Sequence, residues 1–384
     1  MTGPDSQQAG AAGPIVIVCP TSRGGHIEHA FDLAVAGYRR TRQRSILLTR
    51  RGAHEYLPQR AGEFVDIREV LPPLPKRRGP ASLLWYFLNL VREHAVIMRV
   101  VRAVRPSTVL FEEPRYPFPS VLGRTRGTRL VLVLHNVVEH DGLRSSNPVV
   151  DWIRLRSVRK FPSVLVHGRT QQRLLATQVG RVAAWSDLPA DSYAEWLWCQ
   201  EKSGDRATRV GPPAFLCLGE IRANKGIETA IGAARLAGVR LSVRGKGVDE
   251  PYLAELRRLA ANSKDIAIVD SFMSPVEFSD EIDASLALVI PYTSFEAQSG
   301  PLAKGMARGK WILSSQLPSL MDQAKGYPSI SFFGVGDEEA LAELMRSVVE
   351  SGTTQGRPSR SGQDPAGSDG DAWDATIEAV LTDG

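Results

Sequence analysis

Short runs of Val, Ile and Leu recur along the first half of the chain: PIVIVCP at 14–20, RSILLTR at 44–50, STVLFEE at 107–113, RLVLVLHN at 129–136 and SVLVHG at 163–168. Such runs are what a parallel sheet covered on both faces requires. Between the first two, HIEHAFDLAVAGYRR at 26–40 places apolar residues at helical spacing, which predicts a βαβ unit. Near residue 214 the rhythm restarts with AFLCLGEI, a helical GIETAIGAARLAG, VRLSVRG, a helical EPYLAELRRLAANS, then DIAIVDSF, SLALVIPY and KWILSSQ. Two successive series predict an α/β protein of two doubly wound, Rossmann-like domains, at 14–205 and 206–350. The polar stretch QEKSGDRATRVGP at 200–212 reads as the linker. Residues 1–13 and the Gly-, Ser-, Pro- and Asp-rich segment 351–371 are expected to be disordered, and AWDATIEAVL within 372–384 to form a short helix that docks back.

At 384 residues, with 43% hydrophobic and 23% charged residues, the chain has the size and composition of a soluble two-domain protein. Its net charge of +5 favours an anionic ligand or membrane surface. No basic block with interleaved aromatics accompanies that charge, so nucleic acid is not an expected partner. Cys19, Cys199 and Cys217 show no ligand spacing; Cys19 and Cys217 lie in strand-like runs and read as core residues in a reducing compartment. The N-terminal stretch has neither a basic n-region nor an apolar h-region, which predicts a cytoplasmic protein.

In doubly wound sheets ligands bind beyond the carboxyl ends of the strands. After the first strand, Gly24 and Gly25 allow close backbone approach, and a helix with free N–H groups follows. The equivalent loop of the second domain carries Arg222 and Lys225, two cations that repel each other unless an anion lies between them. In PYTSFEAQSGPLAKGMARGKWIL a strand ends at Tyr292 and a helix begins near Ser299 and Gly300. Facing loops of this kind would converge two cations and a helix N-terminus on one anion, and a diphosphate fits such a place.

The combination of GGH, LHNVVEHDG, LGEIRANKG and PYTSFEAQSGPLAKGMARGK resembles the retaining glycosyltransferases of the GT-B fold, in particular family 4, over roughly residues 14–350. The resemblance implies that Arg222 and Lys225 hold a donor diphosphate, with Gln298, Ser299, Gly300, Gly24, Gly25 and Gly245 also on the donor side. It implies that Glu296 orients the donor sugar and that His135 contacts that sugar near the anomeric carbon. His167 matches a common position of the family, with packing an equal alternative. The family's second glutamate is replaced by Lys304, which cannot accept hydrogen bonds from a ribose; a QSG-bearing branch also lacks that glutamate. Lys304 is therefore kept on the donor side with its contact open.

His26 and Arg115 are assigned to the acceptor side; Glu112, Glu113 and Arg115 also admit a solvated-loop reading. No metal site is expected. His26 with His29, and His135 with His140 and Asp141, could be drawn as partial sites, but no third ligand has matching spacing. No cofactor is expected either, the nucleotide diphosphate sugar being a substrate.

In the segment 75–106, Asn89, Arg92, Glu93, Arg99 and Arg102 share one half of a helical wheel, and Leu84, Trp85, Leu88, Val91, Ala95 and Met98 lie mainly on the other. Preceded by Lys76, Arg77 and Arg78, helix 83–104 is either a peripheral contact with the inner face of the plasma membrane or an ordinary helix burying its apolar face. The whole implies transfer of a sugar, with retention of configuration, to a saccharide or lipid-linked acceptor. The alternatives are an epimerase or inverting transferase of the same fold, and a non-catalytic subunit that binds a partner or membrane.

Overall fold

The computed structural model describes residues 13–73, 81–119, 127–137, 148–201, 213–351 and 372–382. The segments 1–12 and 352–371, residues 202–212 of the linker, the basic run Lys76, Arg77 and Arg78, and the pair His140 and Asp141 lie outside the described residues.

The first sheet has seven strands: β1 Ile15–Val18, β2 Ser45–Leu48, β3 Val65–Arg68, β4 Thr108–Phe111, β5 Arg129–Leu134, β6 Ser163–His167 and β7 Ala184–Ser186. Their order is β3-β2-β1-β4-β5-β6-β7, and every pair is parallel. The second sheet holds β8 Phe215–Leu218, β9 Leu241–Gly245, β10 Ile266–Asp270, β11 Ala287–Ile290, β12 Ile312–Ser315 and β13 Ile330–Phe333, in the order β10-β9-β8-β11-β12-β13, again all parallel. Both are doubly wound Rossmann-like sheets, as the apolar runs predicted. Those runs are continuous because alternate side chains enter opposite cores. Ile15 and Ile17 pack on one face of the first sheet with Leu47 and Leu110, and Val16 and Val18 on the other with Leu48, Val109 and Phe111.

The C-terminal helix Ala372–Leu381 packs on the first domain, against the helix Gly25–Thr41 and β7. Trp373, Ile377 and Val380 complete that domain's core, and the Trp373 indole N–H donates to the Asp191 carbonyl at 2.9 Å.

The helix Ala81–Val104 is turned relative to the wheel read from the sequence. Asn89 and Glu93, assigned there to the polar half, are buried, whereas Leu84 and Val91 are 62% and 66% exposed and Phe87 and Leu88 are also exposed. A polar node explains the rotation. The Glu93 carboxylate accepts from Arg50, from Asn89 at 3.3 Å and from the Tyr116 hydroxyl at 3.3 Å, and lies 3.5 Å from Arg115. A paired and hydrogen-bonded carboxylate is tolerated in a core, so it, and not the apolar stripe, sets which side faces inward. Ile97, Met98 and Val101 fill the rest of the buried face.

Candidate active site

The strand orders place two switch points, between β1 and β4 and between β8 and β11, where connections leave in opposite directions and open a crevice at the carboxyl ends. A cavity of about 450 Å³ lies there, within the range of small-ligand sites. His26, Glu112, Glu113, Arg115 and His135 line it from the first domain and Arg222 from the second.

On the second domain the two loops are locked together. Gly226 has φ +57°, and a Cβ there would overlap the Pro291 carbonyl, so only glycine lets the loops approach. Thr293 N–H donates to the Asn224 carbonyl at 3.0 Å, and the Asn224 amide donates to the Ser294 carbonyl at 3.2 Å. Arg222 reaches Glu220 at 3.2 Å, while its Nε has no hydrogen-bond partner. Lys225 is buried, its ammonium 3.6 Å from the Tyr292 ring centre and 4.6 Å from that of Phe295. Among the described residues no carboxylate pairs with it. Burial first, and then the Arg222 charge, push the Lys225 pKa well below its ordinary value. An anion arriving between the two side chains would relieve that penalty.

The neighbouring site residues divide into open and engaged groups. Glu296 is exposed, and its backbone carbonyl accepts from the Gln171 side-chain amide. Gln171, wholly buried, also accepts from Val137 N–H at 2.6 Å, so one side chain joins the segment after His135 to the Glu296 loop. Nothing in the local sequence singled it out, because its role requires the two domains together. Gly300 opens the helix Gly300–Ala307, with free space where a Cβ would stand. Ser299, placed on the donor side, turns its Oγ to the helix itself, where it accepts from Leu302 N–H at 3.4 Å and lies 3.2 Å from the Tyr292 hydroxyl. Its own N–H donates to Gln323 at 2.7 Å.

Gln298 is likewise engaged elsewhere: its amide donates to Asp187 at 2.9 Å and accepts from Leu188 N–H, tying the domains together. Gly245, read on the donor side, serves a close approach, since a Cβ there would overlap the Gly219 carbonyl. Gly24 caps the helix Gly25–Thr41, and both Gly24 and Gly25 adjoin open space.

Lys304 differs most from its expected place. Its ammonium lies 2.6 Å from Glu28 and 3.6 Å from Glu195, both of the first domain, and Arg308 pairs with the same Glu195. The charge reversal relative to the family pattern is thus matched by carboxylates across the cleft. Its side chain is 15% exposed, so Lys304→Ala, which strands Glu28 and leaves Glu195 to Arg308 alone, is expected to cost about 3 kcal/mol of stability. A lowered thermal midpoint with an unchanged KM for donor is the expected pair of measurements; a raised KM at normal stability would return Lys304 to the donor site.

The first-domain wall is a cluster that sequence spacing could not assemble. His26 stacks on His135 with ring centres 4.4 Å apart, and burial followed by the His135 charge lowers its pKa to about 4. His135 Nε2 lies 2.6 Å from the Glu112 carboxylate, and His29 Nδ1 lies 3.1 Å from the same oxygen. His167 Nε2 faces His29 Nε2 at 3.0 Å. Burial opposes the charged form of Glu112, but His29 and His135 together hold its carboxyl well below the usual range. The third histidine missing from the sequence reading is supplied by strand order, since β4, β5 and β6 are adjacent and His29, from the helix after β1, meets Glu112, His135 and His167 at their carboxyl ends. Arg115 lines the cavity beside Tyr86 and lies 3.5 Å from both Glu93 and Glu113, which sets aside the solvated-loop reading for that residue.

No family model matches the sequence, and no curated protein matches it. Solved structures do. HepE of Anabaena in complex with UDP-glucose is 13% identical, with 96% of this chain and 98% of that chain covered and a TM-score of 0.67. Sucrose-phosphate synthase from Thermosynechococcus elongatus is 13% identical over 96% and 95%, with a TM-score of 0.66. A UDP-N-acetylglucosamine 2-epimerase, so described, from Listeria monocytogenes is 12% identical over 96% and 96%, with a TM-score of 0.61. At these identities the likeness establishes the shared two-domain architecture, GT-B.

Proposed function

We propose that the chain is a glycosyltransferase that moves a sugar from a nucleotide diphosphate donor to a saccharide or lipid-linked acceptor with retention of configuration. One observation carries this reading: at the carboxyl ends of both sheets, a cavity bounded by His26, Arg115 and His135 of one domain meets Arg222 of the other. The UDP-glucose bound to HepE occupies a protein of the same fold.

Arg222 and Lys225 stabilise the departing diphosphate, helped by the helix N-terminus at Gly300. Glu296 orients the sugar hydroxyls and supports positive charge at the reacting carbon. The acceptor hydroxyl attacks from the leaving-group face, and a diphosphate oxygen takes its proton as the bond from sugar to diphosphate breaks. His26 and Arg115 face the acceptor. Closing the domains excludes water and limits donor hydrolysis.

A thermal-shift panel of nucleotide sugars tests the reading, because a ligand at a hundred times its Kd stabilises the native state by about 2.7 kcal/mol. The binder is then incubated alone and with acceptors, and the product's anomeric configuration is read by NMR. No shift with any nucleotide sugar would leave a non-catalytic subunit; an inverted product would remove retention; an epimerised donor would make the chain an epimerase.

The acceptor side favours an amphiphilic partner. The helix Ala81–Val104 gives Tyr86 to the cavity while exposing Leu84, Phe87, Leu88 and Val91, and the helix Pro148–Lys160 gives Ile153 and Arg154 while exposing Trp152 and Leu155. No helix among the described residues is long and apolar enough to cross a membrane. Reversible contact with an anionic leaflet follows as part of the proposal. Neutralising Lys76, Arg77 and Arg78 should weaken attraction by about 1 kcal/mol per residue and reduce co-sedimentation with anionic vesicles. Equal sedimentation on neutral and anionic vesicles, or none on either, would confine these apolar residues to some other role.

A further inference from the structure

The reaction as read leaves His29 and His167 without a task, although both are buried and converge with His135 behind the cavity wall. One ring nitrogen from each of the three lies within 4.8 Å of the others. His29 Nε2 and His167 Nε2 face each other at 3.0 Å. Two nitrogens bound to one tetrahedral ion at about 2.0–2.1 Å stand roughly 3.3 Å apart, so this pair already has nearly that spacing.

The outer nitrogens are held in the manner of metal-ligating imidazoles. His29 Nδ1 lies 3.1 Å from Glu112, and His167 Nδ1 lies 3.4 Å from the Ser186 hydroxyl, which itself accepts from Thr376 at 3.1 Å. The Glu112 carboxylate is 1% exposed and, among the described residues, has no Lys or Arg within ion-pair distance; histidines alone surround its charge. With neutral imidazoles the cluster therefore carries one buried negative charge, which a divalent ion would offset. The rival occupant is a proton: a His29 imidazolium would donate to Glu112 on one side and to His167 on the other.

We propose that His29, His135 and His167 bind one divalent transition-metal ion of the Zn²⁺ class, with Glu112 orienting the His29 and His135 rings. An all-imidazole set suits borderline ions such as Zn²⁺ and Co²⁺ and not Mg²⁺. The three ligands belong to the first domain and Arg222 and Lys225 to the second, so the ion is assigned to fixing the His135 ring in the cavity wall, and the counter-charge of a leaving diphosphate stays with the two cations. The inference is independent of the sugar chemistry.

Chelated wild-type protein titrated with Co²⁺ decides between metal and proton. The expected result is one Co²⁺ per chain with the intense visible bands of four-coordinate cobalt, displaced by Zn²⁺ and unaffected by excess Mg²⁺, together with a raised thermal midpoint. His167→Gln should abolish the bands, and a variant of the exposed His54, His54→Ala, should keep them. If His167→Gln does not fold, His135→Gln at the partly open edge carries the same decision. No uptake by folded wild-type protein, the weak spectrum of six-coordinate cobalt, or bands that survive these ligand substitutions would overturn the assignment.

Discussion

Glu296→Gln is expected to lower turnover about a hundredfold or more, the scale of losing one preorganised electrostatic stabiliser, with nucleotide affinity little changed. The geometry around this residue makes the prediction sharp. Its backbone is fixed by Gln171, and its loop is bound to the Arg222 loop through Asn224. Its carboxylate, by contrast, is exposed and has no ion-pair partner among the described residues. A positioned carboxylate not committed to the protein is available to sugar hydroxyls and to developing positive charge. The amide of Gln keeps the shape and one acceptor but loses the charge. Measuring kcat and donor Kd for both enzymes separates the contributions, and a fully active variant would remove the role assigned to Glu296.

Arg222→Ala should weaken nucleoside diphosphate binding by about 1.5–3 kcal/mol, roughly ten- to a hundredfold in Kd, the scale of a lost charge-assisted hydrogen bond. Lys225→Met should cost a similar amount and also change the pH dependence. Lys225 has a depressed pKa in the free protein, and a bound diphosphate would raise it. Affinity is therefore full below the free-protein pKa and falls as pH rises through it, until the pKa of the complex is passed; within that window binding takes up a proton. A guanidinium keeps its proton in proteins, so the slope should vanish in Lys225→Met and persist in Arg222→Ala. Calorimetry in buffers of different ionisation enthalpy reads the proton directly. Binding that is independent of pH in wild type, or unweakened in both variants, would take the diphosphate away from this loop.

The strands and the loops that follow them were legible because parallel sheets covered on both faces leave continuous apolar runs, and ligand loops follow such runs by rule. The candidate residues Arg222 and Lys225 came from those loops, whereas Glu296 came only from the resemblance of its motif. What escaped depends on partners distant in the chain. Glu93 reads as surface until Arg50, Asn89 and Tyr116 surround it, and its burial rotates a whole helix. Gln171 is an ordinary amide in the first turn of the helix Arg169–Val179 until the Glu296 loop arrives from the other domain. Lys304 reads as a missing ribose contact until Glu28 stands opposite. The histidines His29 and His167 are 138 residues apart, and no local spacing rule reaches that far.

The return of the last helix to the first domain bears on how the polypeptide is made. Trp373, Ile377 and Val380 belong to the core that begins with Ile15, so the second domain is in effect inserted between two parts of the first. Domains fold as units as they emerge from the ribosome. The inserted domain has all of its strands once residue 333 has emerged, whereas the first must wait, with one flank of β7 and the helix Gly25–Thr41 uncovered, for the helix Ala372–Leu381. A chain cut after residue 351 should accordingly keep a cooperative second domain while the first binds hydrophobic dyes and yields to protease. The domain begun first is completed only after the second has all of its strands.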